Sequence, residues 1–245
     1  GYFFTPTYWR LRRRDIKVVR FMHSPLPWRM PFINLRTHKK LLVIDGRIAF
    51  MGGLNIGDEN VVAQDPTHPV RDTHFRVEGP VVRQLMESFA RDWSFTAGET
   101  LAGVAWFPER SEARGDIVAR AVVSGPDTDI EKIEFLMLEA IGCAQSSISI
   151  MTPYFLPEDR LTTALSLAAL RGVDVRIVIP HQSNRRIVDW ATRSHIAPLL
   201  VAGCRIWENP PPFEHSKLMT IDGAWSLVGS ANWDTRSFRL NFELN

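Results

Sequence analysis

The sequence has no long apolar run, few cysteines and little net charge, and each shortage narrows the kind of protein it encodes. None of its apolar runs reaches the roughly eighteen residues needed to cross a bilayer, so it predicts no transmembrane helix. The two cysteines, Cys143 and Cys204, lack C-x-x-C spacing and cannot form a disulfide framework. The net charge of +2 is too small for the overall positive field of a nucleic-acid-binding domain.

One polar pattern occurs twice. The stretch HKKLLVIDGRIAFMGGLN covers residues 38–55, and HSKLMTIDGAWSLVGSAN covers residues 215–232. The two stretches align without a gap, begin 177 residues apart and are identical at eight of eighteen positions. We interpret the pair as an internal duplication, because two unrelated hairpins would not share this spacing.

Each copy begins with a histidine followed by a lysine two residues later, His38 with Lys40 and His215 with Lys217. Side chains at positions i and i+2 of a strand point to the same face, so each imidazole is expected beside an ammonium group. Lysine can hold a phosphate oxygen, while histidine supplies nucleophilic or acid–base chemistry near neutral pH. The pattern therefore indicates an anionic, phosphate-containing substrate.

The other repeated residues follow the first strand of each copy. Asp45 and Asp222 fall at a predicted Asp-Gly hairpin turn, where we expect them to shape the turn around the catalytic pair. After the returning strand, small residues allow close approach of the backbone to a ligand, and neutral donors suit phosphoryl oxygens. These candidate phosphate-binding residues are Gly53, Asn55, Ser230 and Asn232.

Strand-like and helical segments alternate along the chain, which predicts an α/β fold with helices on both faces of a sheet. Helices are predicted over residues 81–95, 130–144, 157–172 and 185–203, and strands over 40–45, 47–51, 146–152, 173–180 and 204–209. Residues 8–22 carry six basic side chains against Asp15 alone and suggest a helix followed by a strand at 16–21. This basic segment is either a solvated helix face or a surface for anionic lipid headgroups.

The double pattern H-x-K-x4-D-x6-G-[G/S]-x-N resembles the signature of the phospholipase D superfamily. The blocks MTPYFLPEDRLTTALSLAALRGVDVRIVIP and DTRSFRLNFE resemble more narrowly the bacterial cardiolipin synthase branch. The resemblance implies two similar α/β lobes, each a mixed β-sheet flanked by helices, related by a pseudo-two-fold axis with the active site between them. We place the lobes at residues 1–108 and 109–245, and we expect the first to be truncated at its N-terminus and the second at its C-terminus, as in a piece of a longer protein.

The resemblance also implies a mechanism. One histidine attacks phosphorus to form a phosphatidyl-histidine, and the other protonates the departing alcohol and then deprotonates the incoming one. By superfamily usage His38 is the nucleophile and His215 the acid and base. The family orients each histidine through a carboxylate some thirty residues downstream, which corresponds here to Asp72 and Glu243. It uses no metal and no cofactor.

Three functions remain open at this point. The first is a phosphatidyltransferase that converts two phosphatidylglycerols into cardiolipin and glycerol; the second is a phosphodiesterase that hydrolyses phospholipid or, with less support, nucleic acid. The third is a non-catalytic binder of lipid headgroups. For the first, the expected partners are a phospholipid substrate and a membrane surface, without nucleic acid, in a monomeric protein associated with the bacterial inner membrane.

Overall fold

The computed structural model describes residues 6–23, 34–109, 112–183 and 186–245, which form a mixed α/β structure of several small sheets and helices. The helices are α1 (Pro6–Arg12), α2 (Val81–Ala97), α3 (Lys132–Cys143), α4 (Asp159–Leu170), α5 (Arg186–Val201) and α6 (Thr235–Arg239). The strands are β1 (Arg36–Thr37), β2 (Leu41–Ile44), β3 (Ile48–Gly52), β4 (Val70–Arg71), β5 (His74–Glu78), β6 (Val123–Ser124), β7 (Ser147–Met151), β8 (Phe155–Leu156), β9 (Asp174–Pro180), β10 (Arg205–Asn209), β11 (Phe213–Glu214), β12 (Leu218–Ile221), β13 (Trp225–Val228), β14 (Trp233–Asp234) and β15 (Asn241–Leu244).

The second motif copy lies in a five-stranded sheet of order β10-β9-β7-β12-β13. Strands β10, β9 and β7 are parallel, and the β12–β13 hairpin adds to β7 antiparallel, with Met219 opposite Ile150. Alternate residues of β7 and β9 are apolar and buried, including Ile148, Val175 and Ile177. They pack with α3, α4 and α5 into the larger hydrophobic core, so the motif hairpin is continuous with the most buried part of the molecule.

The first motif copy lies in a three-stranded antiparallel sheet of order β2-β3-β5, covered by α2. Its core is smaller and contains Ala49 and Met51 from β3 together with Val82 and Leu85 from α2. Leu244, at the other end of the chain, is buried in the same cluster. The last residues of the chain are therefore packed against the sheet that carries the first motif.

Short parallel pairings connect the two regions where the motifs begin. Strand β1, just before His38, pairs with β15, and β4, just before Asp72, pairs with β11. Strand β6 pairs with β15 on the side opposite β1. The start of the first motif therefore lies beside β15, which follows the second motif in sequence. The start of the second motif lies beside β4, which follows the first.

Most predicted elements are confirmed, with boundaries shifted by a few residues. Both hairpin turns carry the φ signs of a type I′ turn: Asp45 and Gly46 are left-handed, as are Asp222 and Gly223. The strand predicted at 16–21 is wrong, because this segment pairs with no strand among the described residues and runs irregularly after α1. Its β-branched composition alone does not make a strand without a neighbouring edge. Among the described residues, none of the helices is long and apolar enough to cross a bilayer.

Candidate active site

Each motif histidine is positioned by a backbone hydrogen bond that continues one of the short parallel pairings. The His38 amide donates to the Phe242 carbonyl at 2.8 Å, and the His215 amide donates to the Arg71 carbonyl at 2.7 Å. Phe242 and Arg71 are each followed directly by a carboxylate residue. The local backbone arrangement is therefore the same at both histidines.

These pairings place a carboxylate against each imidazole. Nδ1 of His38 lies 3.0 Å from both carboxylate oxygens of Glu243, and Nδ1 of His215 lies 2.7 Å from Oδ2 of Asp72. The family pattern led us to expect each carboxylate beside the histidine upstream in its own copy; instead, the partners are exchanged between copies. The exchange follows from strand pairing, because β1 pairs with the strand that carries Glu243 and β11 pairs with the strand that precedes Asp72.

Glu243 is fully buried and is held by two further donors. The hydroxyl of Ser230 donates to Oε2 at 2.5 Å, and the amide of Asn241 donates to Oε1 at 3.0 Å. Ser230 was a candidate phosphate ligand, but the structure places its hydroxyl on the carboxylate that holds His38. Asn241 has no counterpart in the motif pattern, so the sequence offered no signal for it.

Gly53 occupies the position in the first copy that Ser230 occupies in the second. A Cβ atom at Gly53 would lie 2.3 Å from Oδ1 of Asp72, which is far closer than van der Waals contact. Only glycine fits while Asp72 holds its place beside His215. The second glycine of the first copy, Gly53, therefore leaves room for the Asp72 carboxylate. Ser230, at the same position of the second copy, donates a hydrogen bond to the Glu243 carboxylate.

Both motif lysines fold back onto the histidine two residues earlier. Nζ of Lys40 donates to the His38 carbonyl at 2.7 Å; Nζ of Lys217 donates to the His215 carbonyl and lies 2.9 Å from Nδ1 of that ring. Burial lowers the pKa of Lys40 to about 8 and that of Lys217 to about 7, while nearby carboxylates oppose both shifts. An anionic ligand would restore the charge on these ammonium groups.

The electrostatics indicate that the two copies meet. The charge of Lys40 contributes to lowering the pKa of Lys217, after the larger effect of burial. It also contributes to lowering the pKa of His215, behind burial and the charge of Lys217, while Asp72 acts in the opposite direction. Like charges influence one another in this way only at short range in a poorly hydrated site. Together with the exchanged carboxylates, these charge effects indicate that the two His-Lys pairs lie close to each other.

The two repeated asparagines are placed differently. Asn232 is buried, and both its backbone amide (3.0 Å) and its side-chain amide (3.4 Å) lie on the hydroxyl of Ser237. Ser237 belongs to α6, which begins with an Asp234 side-chain cap on the Ser237 amide at 2.7 Å. Asn55 is exposed. Ser237 was missed from the sequence, although Asp234 is a residue type favoured at the start of a helix.

The motif aspartates lie at the hairpin turns. Oxygens of Asp222 accept from the backbone amides of Gln145, Ser146 and Ser147 and from the Ser146 hydroxyl, at 2.7–2.8 Å. These bonds hold the pKa of Asp222 well below its usual range. Asp45 is exposed at the matching turn. The contacts of Asp222 are thus with the loop before β7 rather than with a histidine, as expected of a residue that fixes the turn.

Two aromatic rings border His215. The ring centroids of Tyr154 and Phe213 lie 6.1 Å and 5.9 Å from that of the imidazole, and 6.2 Å from each other. The neighbouring Phe155 is buried against Trp233 and belongs to the core. Tyr154 therefore lies beside the site, whereas Phe155 packs away from it.

The arrangement leaves the same atom of each histidine for chemistry. Because Nδ1 faces a carboxylate, Nε2 is the ring nitrogen available to a ligand, and a carboxylate at Nδ1 fixes the tautomer and stabilises the cation. Two imidazoles and two lysines around one space suit an anion that is attacked from one side and leaves from the other. Among the residues that the structure describes, no group of three potential metal-ligating side chains occurs.

Comparison with known proteins gives a consistent result. A family model described as "Cardiolipin synthase, PLD-like domain" matches residues 137–245. A cardiolipin synthase of Alkalihalophilus pseudofirmus is 42% identical over 236 residues, 96% of this chain and 47% of the relative. A probable cardiolipin synthase of Bacillus subtilis, YwiE, is 38% identical over 239 residues, again 96% of this chain and 47% of the relative. The chain therefore spans about half the length of these curated relatives.

Solved structures add a likeness in fold. The crystal structure of phosphatidylserine synthase from Haemophilus influenzae superposes on 86% of this chain and 57% of its own, with a TM-score of 0.59 and 15% identity. At that identity the likeness concerns the fold alone.

Proposed function

Because the chain belongs to the phospholipase D superfamily, we propose that it carries the active site of a phosphatidyltransferase that makes cardiolipin. The reaction joins two phosphatidylglycerol molecules and releases glycerol. The observation that carries the proposal is the exchange of carboxylates between the motifs, His38 with Glu243 and His215 with Asp72, which supports one site built from both motifs. The names of the relatives support the choice of reaction.

In this proposal residues 1–108 and 109–245 form two lobes related by a pseudo-two-fold axis. The matching strand pairings at His38 and His215 support it, because each histidine receives its carboxylate from across the same kind of parallel pair. The axis would pass between the strand pairs β1–β15 and β4–β11. The reacting phosphate would then lie between the two Nε2 atoms.

The first step transfers the phosphatidyl group to the protein. Nε2 of His38 attacks the phosphorus of one phosphatidylglycerol, the P–N bond forms, and the bond from phosphorus to the glycerol headgroup oxygen breaks. His215 gives its Nε2 proton to that oxygen, so neutral glycerol leaves. The side chain of His38 is 27% exposed and that of His215 is 9% exposed, which supports His38 as the residue that accepts the bulky group.

The second step returns the enzyme to its starting state. His215 takes the proton from a headgroup hydroxyl of a second phosphatidylglycerol, whose oxygen attacks phosphorus and displaces His38. One phosphodiester replaces another, so the balance needs no nucleotide, metal or redox partner. Lys40 and Lys217 hold the phosphoryl oxygens, and the bound anion raises the pKa of His215 because it offsets the two ammonium charges.

The same proposal includes the setting of the reaction. A substrate that stays in a bilayer requires a membrane-associated protein, and we place it at the bacterial inner membrane as a monomer. Asn55 and Asn232 supply neutral donors to the phosphate, and Gly53 leaves room for the Asp72 carboxylate beside His215. Neither a metal nor an organic cofactor enters the scheme.

The test is a product analysis with the full-length protein in phosphatidylglycerol vesicles that contain EDTA. Cardiolipin and glycerol in equal amounts would support the transferase, and radiolabelled phosphatidyl group trapped on His38 would support the first step. Phosphatidic acid with glycerol, and no cardiolipin, would mean that water is the acceptor and the protein is a hydrolase. No turnover would leave a headgroup-binding protein, and label trapped on His215 would reverse the two histidine roles.

A further inference from the structure

The basic segment, residues 8–22, displays charge and apolar surface together. Arg10, Arg12, Arg13, Arg14 and Lys17 are all exposed. Interleaved with them, Trp9 is 54% exposed and Ile16 is 48% exposed. Basic side chains interleaved with tryptophan and other large apolar side chains are typical of segments that lie in a membrane interface.

The segment is attached to the rest of the molecule by a few defined contacts. Lys17 forms an ion pair of 2.5 Å with Glu99 and lies over the ring of Trp93 at 5.8 Å. Phe21 packs against Phe95 of α2, with ring centroids 5.6 Å apart, and Phe95 is itself largely exposed. The segment is therefore docked on the end of α2 while its arginines face solvent.

The same contacts place it near the candidate active site. The ring of Phe21 lies 5.1 Å from that of Phe242, centroid to centroid. The Phe242 carbonyl accepts the hydrogen bond from the His38 amide, and Glu243 follows in sequence. A surface bound through the basic segment would thus lie close to the histidine that is proposed to attack the phosphate.

We propose that the basic segment, together with Phe95, docks the protein on an anionic phospholipid surface. The arginines complement the negative surface potential, and Trp9 and Ile16 enter the interfacial region, where tryptophan is favoured. Charge complementarity selects the membrane as partner, and the exposed apolar side chains distinguish it from a polyanion in solution. The inference deepens the proposed function, on which it rests for the nature of the substrate.

The first experiment measures partitioning of the full-length protein onto vesicles of phosphatidylcholine with or without 30% phosphatidylglycerol. The variant R10Q/R13Q/R14Q should bind the anionic vesicles on the order of 100-fold more weakly, since each arginine near the surface contributes roughly a fivefold factor. The matched control R47Q/R120Q/R193Q removes three exposed arginines elsewhere. It should stay within about threefold of the wild type. Equal losses in both variants would overturn the proposal, because net charge would then explain binding.

The second experiment separates the apolar contribution. W9A should weaken binding several-fold even at high salt, where charge effects are screened. W190A, which removes another exposed tryptophan on α5, should have no effect. Equal sensitivity of the two variants, or retention of vesicle binding by R10Q/R13Q/R14Q with loss of binding to a DNA duplex, would show that the segment does not serve the membrane.

The inference and the proposed function fail in different ways. The catalytically disabled H215A should bind anionic vesicles as the wild type does, and R10Q/R13Q/R14Q should keep its turnover of a short-chain, detergent-dispersed phosphatidylglycerol. Loss of both binding and detergent-phase turnover in the triple variant would contradict the docking role. If wild-type protein binds vesicles but makes no product, only the proposed reaction fails.

Discussion

The two motif copies contain the same reactive residues in different surroundings. Strand β12 of the second copy is paired on both sides, with β7 and β13. In the part of the chain that the structure describes, β2 of the first copy pairs with β3 alone and exposes Leu42 and Ile44. Asp222 and Asn232 are fixed by several hydrogen bonds, whereas Asp45 and Asn55 are exposed.

The difference extends to the reactive groups. His215 and Lys217 are buried, while the side chain of His38 is three times as exposed as that of His215. The more deeply buried Lys217 also has the lower pKa of the two motif lysines. A repeated sequence motif therefore specifies which side chains are present, and the sheet that carries it determines how rigidly and in what dielectric they are held. This suits one rigid, buried histidine for proton transfer and one accessible histidine for attack.

The strongest test of the comparison removes each histidine. H38A and H215A should each lower kcat by ~10³-fold or more, because a nucleophile and an acid–base group are both essential to a two-step displacement. Turnover of phosphatidylglycerol, with circular dichroism as a check of folding, measures this. Near-normal activity in either variant would show that the copies do not share a site.

The exchanged carboxylates give the next largest effect. D72N and E243Q should each lower kcat by about 10²–10⁴-fold, since a neutral amide cannot stabilise the imidazolium cation as the carboxylate does. D72N should also lower the pKa of His215 further, because the carboxylate that raises it is lost. E243Q should leave that value nearly unchanged. NMR titration of the His215 ring signals measures this pKa. If E243Q lowered it and D72N did not, Glu243 rather than Asp72 would be the partner of His215.

The two repeated asparagines test whether a buried, fixed side chain contributes more to kcat than an exposed one. N232A should reduce kcat by about 10²-fold, because a preorganised donor is lost. N55A should reduce kcat less, since an exposed amide must first be ordered by the substrate. S237A removes only the hydroxyl that holds Asn232 and is expected to fall between them. Equal effects of N232A and N55A would mean that substrate binding removes the difference between the copies.

The pKa values of the two motif lysines predict that the affinity for a phosphodiester depends on pH. Above about pH 7 Lys217 loses its proton, and above about 8 so does Lys40. The affinity for glycerophosphoglycerol, a phosphodiester whose own charge is constant in this range, should therefore fall by up to about tenfold per pH unit above 7. In K217M the fall should begin near pH 8, whereas in K40M it should begin above 7, because the Lys40 charge that helps to lower the pKa of Lys217 is gone. Calorimetry from pH 6 to 9 measures the onset, and a flat wild-type profile would contradict the pKa order.

The smallest effect concerns the turns. D222A should lower the Tm by a few degrees, because it leaves the amides of residues 145–147 without their acceptor. D45A should lower the Tm less, since Asp45 is exposed and alanine there costs only the strain of the left-handed backbone. Because the folded-state pKa of Asp222 is depressed, its contribution is present at neutral pH and is lost on acidification. Equal Tm values for D222A and wild type at pH 7 would remove this asymmetry.

Sequence reasoning was most successful where the signal is local. The helix over 81–95 and the Asp-Gly turns follow from periodicity and from left-handed φ preferences, which depend on neighbouring residues only. The strand predicted at 16–21 failed because a strand also needs an edge to pair with. Ser237 and Asn241 were missed because their roles arise from contacts with Asn232 and Glu243 rather than from the repeat.

By itself the sequence determined the set of reactive side chains: two histidine–lysine pairs at strand spacing, each followed by a turn and a small-residue loop. It also determined the family, because that spacing occurs twice. The tertiary structure decided which carboxylate serves which histidine, and how deeply each copy is buried. Those features depend on the parallel pairings β1–β15 and β4–β11, which join segments separated by most of the chain. Local sequence cannot specify such pairings, because their free energy comes from packing that exists only once the chain has folded.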